Sequence, residues 1–247
     1  MNKVLERLIR LLQKLISFAH LSHHKFQNKN QITNTNLIVN LLKLKGFNPN
    51  FIVDVGCGYG EWTKKIIRIY PNSKYILFDA DFNNFNKLKI LKNYYDNINF
   101  KICLLSNIKK NYTFYSMGYG SSIFEENTKH PRKKKKIKST TLYDELKNKI
   151  YNSNNLLKLD VQGAEMVIIK GLRSLLNKFE AIILETSLHN YNKNAPLFYE
   201  IHKFMNLNGY KLYDIYDLKR LGEFKSYLLQ FDCLFVKKNS DLNKIKF

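Results

Sequence analysis

Short apolar runs alternate with amphipathic segments along most of the chain. Residues 51–55 are apolar except for Asp54, which is typical of a central parallel strand that is buried on both faces. Residues 61–69 carry apolar side chains at helical spacing and predict a helix. Residues 74–78 predict a second strand, which ends at Asp79. This alternation predicts an α/β fold.

The later part of the chain continues the alternation, with one irregular insertion. Strands are predicted at residues 98–104, 156–159 and 210–216, with another ending at Glu185, and the final strand at residues 231–237, preceded by residues 227–231. Helices are predicted at residues 82–94 and 197–208. The insertion, residues 106–155, contains a predicted short strand at residues 112–115 and a flexible loop at residues 117–124. Ligands of open α/β sheets bind beyond the carboxyl ends of the strands, so we expect this insertion to meet the substrate. An ordinary surface excursion accounts for any single residue in it equally well.

Residues 1–34 form a separate unit, in which an amphipathic segment is followed by a polar stretch. Apolar residues recur at helical spacing between residues 4 and 16, but charged residues interrupt them. The segment is therefore neither a transmembrane span nor a convincing signal peptide. We favour docking on the domain or on a partner subunit over a basic amphipathic helix, residues 1–21, lying on a membrane surface. The polar residues 22–36 are interpreted as a linker, and residues 35–247 as one domain.

The chain is strongly basic, with 41 Lys and Arg against 20 Asp and Glu and a net charge of +21. Such a charge favours nucleic acid or an anionic membrane as partner. However, Lys, Asn and Ile are abundant throughout, as A/T-rich codons would produce, so only local clusters are informative. In the cluster at residues 130–138 we favour a solvated loop before a helix over a patch that binds phosphate or anionic glycan. The cluster lacks the interleaved aromatic residues that single-stranded nucleic acid requires, which argues against nucleic acid as a partner.

Length and cysteine content are those of one enzyme-sized domain. A chain of 247 residues that is 45% hydrophobic can bury a large core, and with 4 Pro and 10 Gly it has no Pro/Gly-rich linker. Cys57, Cys103 and Cys233 are far apart and form no C-x-x-C pair, which argues against a zinc site or a disulfide framework. We therefore expect a reducing, cytoplasmic location.

The most informative motif is the glycine loop that follows the first strand. Gly56, Gly58 and Gly60 let the backbone turn sharply and approach a ligand closely. Dinucleotide-binding loops have the pattern G-x-G-x-x-G, but Glu61 occupies the position of the third glycine, so the string is D-x-G-x-G-x-G. Asp79 follows at close to the spacing at which an acidic residue binds ribose hydroxyls. A tight structural turn is the alternative interpretation, which the position of Asp79 disfavours.

A second group of polar residues follows the strand at residues 156–159. Asp160 lies at the carboxyl end of this strand, where a carboxylate beside buried apolar residues is costly unless it has a partner. Gln162 and Glu165 are three residues apart at the start of the next helix, so we expect them to share a face. Helix capping and packing would account for Gln162 and Glu165 as well as catalysis does.

The glycine loop resembles the first motif of the Rossmann-like S-adenosylmethionine (SAM) methyltransferases, and the chain as a whole resembles the FkbM family of these enzymes. The likeness covers roughly residues 37–238, and its most specific string is K-x-D-x-Q-G-x-E, which ends at Glu165. The family commonly has F-E-P where this chain has F-D-A at residues 78–80, and often a small residue at the position of Cys57. The motifs lie, in family order, at residues 53–60, 78–79, 120–124, 141–144, 157–165, 170–171, 184–185, 209–210 and 232–236.

This resemblance implies a Rossmann-like class I methyltransferase fold, with a mostly parallel seven-stranded sheet, the last strand antiparallel, and helices on both faces. It also implies SAM as cofactor and transfer of its methyl group to a hydroxyl of a sugar or glycan. The alternatives are a lipid-linked or secondary-metabolite hydroxyl, or a basic module that binds glycan or nucleic acid on an inactive methyltransferase fold. Residues 1–21 are the candidate for peripheral membrane contact, and a second copy of the chain is a further candidate partner.

Candidate site residues follow from the resemblance and from the positions above. The cofactor-binding candidates are Asp54, Gly56, Gly58, Gly60, Asp79, Ser106 and Asp160, and the substrate-side candidates are Ser121, Ser122, Gln162 and Glu165. A base that takes the proton of the acceptor hydroxyl would accelerate the reaction about 10²- to 10⁴-fold. The candidates for this base are Asp160, Glu185 and His189. Asp160 and Glu185 could instead bind a divalent metal ion, but two oxygen ligands are too few to predict a metal site.

Overall fold

The computed structural model describes residues 34–244. The amphipathic segment at residues 1–21 and most of the polar linker lie outside the described residues. Within residues 34–244, no helix has both the length and the apolar character needed to cross a membrane.

The described residues contain ten strands and six α-helices. The strands are β1 (Phe51–Val55), β2 (Lys74–Asp79), β3 (Ile98–Ile102), β4 (Leu104–Leu105), β5 (Asn111–Ser116), β6 (Lys133–Thr140), β7 (Asn155–Leu159), β8 (Ala181–Ser187), β9 (Tyr210–Leu221) and β10 (Tyr227–Lys237). The helices are α1 (Asn34–Leu44), α2 (Glu61–Ile66), α3 (Phe85–Tyr94), α4 (Leu142–Leu146), α5 (Glu165–Lys170) and α6 (Phe198–Leu207).

Seven strands form the central sheet in the order β3-β2-β1-β7-β8-β10-β9. The pairs β1–β2, β1–β7, β2–β3 and β7–β8 are parallel, whereas β10 is antiparallel to both β8 and β9. The predicted sheet, mostly parallel with an antiparallel last strand, is therefore confirmed. β1 lies where the strand order reverses, so the loop that leaves its carboxyl end opens into the crevice in which such sheets bind ligands.

Two apolar clusters cover the two faces of the central sheet. Alternate residues of β1 point to opposite faces, and accordingly Ile52 belongs to one cluster and Val53 to the other. Residues of α1, α2 and α3 pack in the Ile52 cluster, and residues of α4, α5 and α6 pack in the Val53 cluster. Helices thus lie on both faces, as predicted, and leave the carboxyl ends of the strands available for a site.

The insertion at residues 106–155 is more regular than predicted. β5 and β6 pair in antiparallel fashion, and β6 also pairs with β4, which gives a small three-stranded sheet. The solvated loop predicted at residues 130–138 is therefore wrong from Lys133 onward, although the lysines are exposed as expected. Residues 133–136 are four successive lysines, and such a run hides the two-residue period by which a strand is recognised.

Several element boundaries also differ from the predictions. α2 ends at Ile66 rather than near residue 69, and the predicted helix at residues 82–94 is a 3₁₀ turn followed by α3. β9 continues to Leu221, beyond the predicted end at residue 216. The prediction stopped early because the outer part of the strand is exposed and lacks the apolar alternation of a covered strand.

Candidate active site

Two cavities meet at the carboxyl ends of β1 and β7. The first has a volume of about 220 Å³ and extends from the glycine loop toward β2 and the insertion. The second has a volume of about 560 Å³ and extends toward β9 and β10. The residues that line both cavities are Gly56, Gly58, Tyr59, Tyr119 and Asp160. The glycine loop and Asp160 therefore form the junction between them.

The three glycines of the loop have different roles. A Cβ at Gly56 would lie 1.9 Å from the carbonyl oxygen of Asp160, so only glycine lets the β1 loop approach the β7 loop this closely. A Cβ at Gly58, where φ is +54°, would meet nothing within 4 Å and would point into open space. A Cβ at Gly60 would lie 2.4 Å from Cδ2 of Leu91, so Gly60 permits packing against α3 and does not line either cavity.

Asp79 ends β2 and faces the first cavity. Its Oδ2 accepts a hydrogen bond from the amide of Gly58 at 2.7 Å, and its Oδ1 accepts from the amide of Asp81 at 2.7 Å and from Nδ2 of Asn84 at 3.1 Å. Burial raises the pKa of Asp79, although these hydrogen bonds oppose the rise. The carboxylate is thus held rigidly against the glycine loop, at the position expected of a group that binds ribose.

The rest of the first cavity is mainly apolar. Its walls include Phe78 of β2, Leu104 and Leu105 of β4, and Ile168 of α5. Cys103 also lines it, and burial raises the pKa of this thiol to about 12, so it is neutral at physiological pH. Such walls suit a flat aromatic ring rather than a charged group.

Ser106, Ser121 and Ser122 take structural positions. Ser106 does not line either cavity; it is buried, and its Oγ donates a hydrogen bond to Oη of Tyr112 at 2.6 Å. Ser121 and Ser122 do line the first cavity, but their hydroxyls donate to the carbonyl oxygens of Gly118 and Gln162. The two hydroxyls thereby tie the 117–124 loop over the cavity.

The second cavity contains an ion pair between the buried Lys158 and the half-buried Asp160. Nζ of Lys158 lies 2.9 Å from Oδ2 of Asp160. Burial disfavours the charge on Lys158, but the carboxylates of Asp160, Asp54 and Asp232 outweigh it and raise the pKa of this lysine. Burial likewise tends to raise the pKa of Asp160, but Lys158 and Lys219 outweigh it and lower that pKa. Both groups are therefore charged at neutral pH.

Asp54, at the fourth position of β1, lines the second cavity. Its Oδ2 accepts a hydrogen bond from Oγ1 of Thr63 at 2.7 Å, but its buried Oδ1 has no hydrogen-bond partner among the described residues. Burial raises the pKa of Asp54 to about 6, although Lys158 opposes the rise. A buried carboxylate oxygen without a partner is costly and is best explained by a donor that arrives with a ligand.

Gln162 and Glu165 do not share a helical face. Gln162 precedes α5 with a positive φ of 55°, and its Nε2 donates to Oδ1 of Asp160 at 3.2 Å and to Oε2 of Glu185 at 2.6 Å. Glu165 is buried, and its Oε1 accepts from the amides of Val161 and Gly163 at 2.9 and 3.3 Å. Neither residue lines a cavity, so Gln162 links Asp160 to Glu185 while Glu165 holds the turn before α5.

Of the three predicted base candidates, only Asp160 lines a cavity. Glu185 is buried behind Gln162 and forms an ion pair with Lys219 of β9. Burial, followed by the charge of Asp160, raises the pKa of Glu185. His189 is exposed and does not line either cavity. The structure therefore places Glu185 as a positioning residue and keeps His189 apart from the site.

The second cavity also contains residues that were not predicted. Lys158, Trp62, Lys219 and Asp232 all line it. Burial raises the pKa of Asp232 to about 6, against the opposing charge of Lys158. A signal for Lys158 and Asp232 was present, because each is a charged residue between two apolar neighbours in a strand, as Asp54 is. Among the described residues, no group of three or more His, Cys, Asp or Glu is arranged to hold a metal ion.

One comparison with known proteins identifies a methyltransferase family. A family profile described as the methyltransferase FkbM domain matches residues 45–212. A comparison with curated protein sequences gave no match.

Three solved structures illustrate the similarity in fold. The methyltransferase FkbM of Methylobacillus flagellatus KT is similar with a TM-score of 0.47 and 14% identity, over 76% of this chain and 43% of that one. The precorrin-6y C5,15-methyltransferase of Geobacter metallireducens GS-15 has a TM-score of 0.47 and 13% identity, over 81% and 86% of the two chains. The 1,6-didemethyltoxoflavin-N1-methyltransferase of Burkholderia thailandensis, with 1,6-didemethyltoxoflavin and S-adenosylhomocysteine bound, has a TM-score of 0.46 and 10% identity, over 97% and 92% of the two chains. The chain thus spans less than half the length of the Methylobacillus protein.

Proposed function

The chain belongs to the FkbM methyltransferase family, and we propose that it transfers the methyl group of SAM to a hydroxyl of a sugar or glycan. The observation that carries this proposal is the junction of the two cavities at Gly56, Gly58 and Asp160. A cofactor that crosses this junction would have its nucleoside in the first cavity and its reactive end at the second.

The first cavity suits the adenosine part of SAM. The carboxylate of Asp79 has about four lone-pair positions, and three protein donors use it, which leaves capacity for a ribose hydroxyl. The apolar walls formed by Phe78, Leu104 and Leu105 suit the purine ring. The open space beyond Gly58 lets the ligand pass close to the backbone.

The junction with the second cavity suits the amino-acid part of SAM. The unpartnered Oδ1 of Asp54 is an acceptor for an ammonium group, which would also lower the raised pKa of this carboxyl. Asp160 lies beside the same position with a charged carboxylate. Together the two acids would fix the orientation of the cofactor.

Bound SAM supplies an activated methyl group, so that the acceptor C–O bond forms as the C–S bond breaks and S-adenosylhomocysteine leaves as a neutral thioether. The acceptor hydroxyl gives up its proton in this step, and Asp232 suits the role of proton acceptor. It lines the second cavity, and its pKa of about 6 leaves it ionised at neutral pH yet more basic than an ordinary aspartate. Asp160, held by Lys158, suits orientation of the acceptor oxygen, and orientation accounts for much of the acceleration in such displacements.

The lining of the second cavity supports a polyhydroxyl acceptor. Trp62 lines it, and the Nε1 atom of this indole is buried without a hydrogen-bond partner among the described residues. Carboxylates offer acceptors for sugar hydroxyls, and the indole offers a donor and an apolar face. A purely apolar acceptor would leave these groups unsatisfied.

The second candidate function is a polyanion-binding module on an inactive methyltransferase fold. The exposed lysines of β6 favour it, because they form a continuous basic strand. The two functions differ in whether SAM binds.

Calorimetry with SAM tests the cofactor site. We expect binding by the wild-type chain and none by Gly58→Arg, because Gly58 lines both cavities and the new side chain would extend from this position into open space. Gly209→Arg is the matched control, because Gly209 also has a positive φ, of +86°, and a Cβ there would meet nothing within 4 Å, yet it lines neither cavity. Absence of SAM binding by the wild-type chain would instead support the inactive module.

Label transfer tests the acceptor class. The chain is incubated with methyl-labelled SAM and a panel of nucleotide sugars, oligosaccharides and RNA. We expect label in the carbohydrate fraction and its loss in Asp160→Ala. Label in RNA alone would overturn the proposed acceptor.

A further inference from the structure

The hairpin formed by β9 and β10 ends in an exposed apolar tip that the core of the domain does not explain. Tyr216 is the last buried residue of β9, and residues 218–227 are all exposed. Four of these ten residues are large and apolar, with exposed fractions of 52% for Leu218, 50% for Leu221, 72% for Phe224 and 63% for Tyr227. We call residues 218–227 the hairpin tip. Such a concentration of apolar side chains in solvent indicates a contact surface.

The backbone holds Phe224 outward at a conformational cost. Phe224 and Lys225 have φ values of +56° and +53°, in the left-handed region that disfavours bulky residues. Phe224 gains little burial in return, since most of its side chain is in solvent. A strained residue that does not serve the core points to a role in recognition.

The strands of the hairpin place a second aromatic residue, Tyr227, opposite Leu221. Tyr227 pairs with Leu221 across the two strands, so their side chains emerge on the same side. A Cβ at Gly222, where φ is +86°, would lie 2.7 Å from the ring of Tyr227. The absence of a side chain at Gly222 therefore lets Tyr227 lie over the turn.

Cations flank these apolar residues. The hairpin tip carries Lys219, Arg220 and Lys225 against one acidic residue, Glu223, and the whole chain has a net charge of +21. Aromatic and aliphatic side chains beside Lys and Arg form the combination that binds the interface of an anionic lipid bilayer.

The hairpin tip is continuous with the second cavity. Leu218 and Lys219 line that cavity, and Lys219 also forms the ion pair with Glu185. A surface that contacts Phe224 and Tyr227 would thus lie beside the opening of the cavity in which the acceptor is expected.

We propose that the hairpin tip inserts into the surface of an anionic bilayer and that the acceptor hydroxyl is carried by a membrane-anchored amphiphile. The insertion follows from the tip itself, whereas the acceptor class rests on the proposed methyl transfer. Phe224, Tyr227 and Leu221 enter the interfacial region, and Arg220 and Lys225 contact anionic headgroups. The second cavity then faces the headgroup layer, where a lipid-linked sugar presents its hydroxyls.

Flotation of the full chain with phosphatidylcholine vesicles, with and without phosphatidylglycerol, tests the insertion. We expect binding to the anionic vesicles, lowered about tenfold in Phe224→Ser/Tyr227→Ser because two apolar side chains no longer leave water. The matched control is Ile90→Ser/Tyr94→Ser on α3, whose side chains are 69% and 79% exposed, and we expect it to bind as the wild type does. Equal binding by the tip variant and the wild type would overturn the proposal.

Fluorescence locates the contact independently of other basic segments. Subtracting the wild-type emission spectrum from that of Phe224→Trp gives the emission of the new tryptophan. This emission should shift to shorter wavelength with anionic vesicles, and brominated lipid should quench it. No shift and no quenching would overturn the proposal. Loss of vesicle binding in Lys133→Gln/Lys135→Gln but not in Phe224→Ser/Tyr227→Ser would overturn it too. Self-association that light scattering detects and Phe224→Ser abolishes, without vesicle binding, would overturn it in favour of a second copy of the chain. Vesicle binding does not require the cofactor. Calorimetry with SAM on the same proteins therefore distinguishes failure of the membrane proposal from failure of the proposed methyl transfer.

Discussion

The amide of Gly58 donates a hydrogen bond of 2.7 Å to Oδ2 of Asp79. This bond joins the glycine loop after β1 to the end of β2, two segments that are adjacent only because the strands pair in parallel. It fixes the carboxylate at the edge of the first cavity, with its remaining lone pairs available to a ligand. The loop and the acid therefore act as one unit in cofactor binding.

Asp79→Asn should weaken SAM binding while the fold persists. An asparagine turns an N–H group either toward the amide of Gly58 or toward Asn84, so the loop loses a charge-assisted bond and ribose loses an anionic acceptor. We expect the dissociation constant to rise about 10- to 100-fold by calorimetry. Asp96→Asn, at an exposed position outside both cavities, is the control. Unchanged affinity in Asp79→Asn would exclude the assigned role.

Gly60→Ala and Gly58→Ala should separate stability from binding. The new methyl group at position 60 would lie 2.4 Å from Leu91 with φ at +83°, so we expect a loss of about 1–3 kcal/mol in the free energy of unfolding. The methyl group at position 58 enters open space and should cost stability less but SAM affinity more. Urea unfolding and calorimetry on both variants provide the comparison. The reverse order of effects would contradict the roles given to the two glycines.

The glycine loop could be predicted from the sequence because its signal is local. Strand β1, Gly56, Gly58 and the acid at the end of β2 occur within one strand–loop–helix–strand segment, and the structure keeps each where the pattern placed it. The central sheet could be predicted for the same reason, since its parallel strands are short and apolar on both faces.

The second cavity could not be assembled in this way. Lys219 and Asp232 reach Lys158 only because β10 inserts between β8 and β9, a long-range pairing that no local pattern specifies. Gln162 turns toward Glu185 because its φ is positive, which the spacing to Glu165 does not indicate. Residues 130–138 lacked any apolar period, so the pairing of β6 with β5 was equally invisible.

Ser106→Ala should lower stability without affecting SAM. The hydroxyl is buried and bonded to Tyr112, and it does not line either cavity. Its removal takes away the donor that the oxygen of Tyr112 accepts from, which should cost about 1 kcal/mol in the free energy of unfolding. Thermal unfolding and calorimetry are the measurements. A clear loss of SAM affinity would restore Ser106 to the cofactor site that the sequence predicted for it.

Asp232→Asn should remove the acid limb of the pH–rate profile. A general base has to be deprotonated, so the wild-type rate should rise as the pH increases through about 6, the raised pKa of Asp232. The amide cannot accept the proton, and we expect the rate to fall about 10²- to 10⁴-fold with the limb absent. SAM affinity, measured in parallel, should be unchanged. A surviving limb near the same pH would assign it to Asp54, whose pKa is also raised to about 6.

Glu165→Gln should change how stability depends on pH. Burial raises the pKa of Glu165 to about 7 in the folded chain, although the amides of Val161 and Gly163 oppose the rise. The folded state therefore binds this proton more tightly than the unfolded state, and the stabilisation is complete below the unfolded pKa of about 4.3 and is lost as the pH rises through 7. A glutamine keeps an oxygen that accepts both amides but has no charge to bury. The free energy of unfolding of Glu165→Gln minus that of the wild type should thus increase by about 1–3 kcal/mol when the pH is raised from 5 to 8.5. Urea unfolding at both pH values measures this, with the exposed Glu223→Gln as control; a difference independent of pH would mean that Glu165 is not buried as a neutral acid.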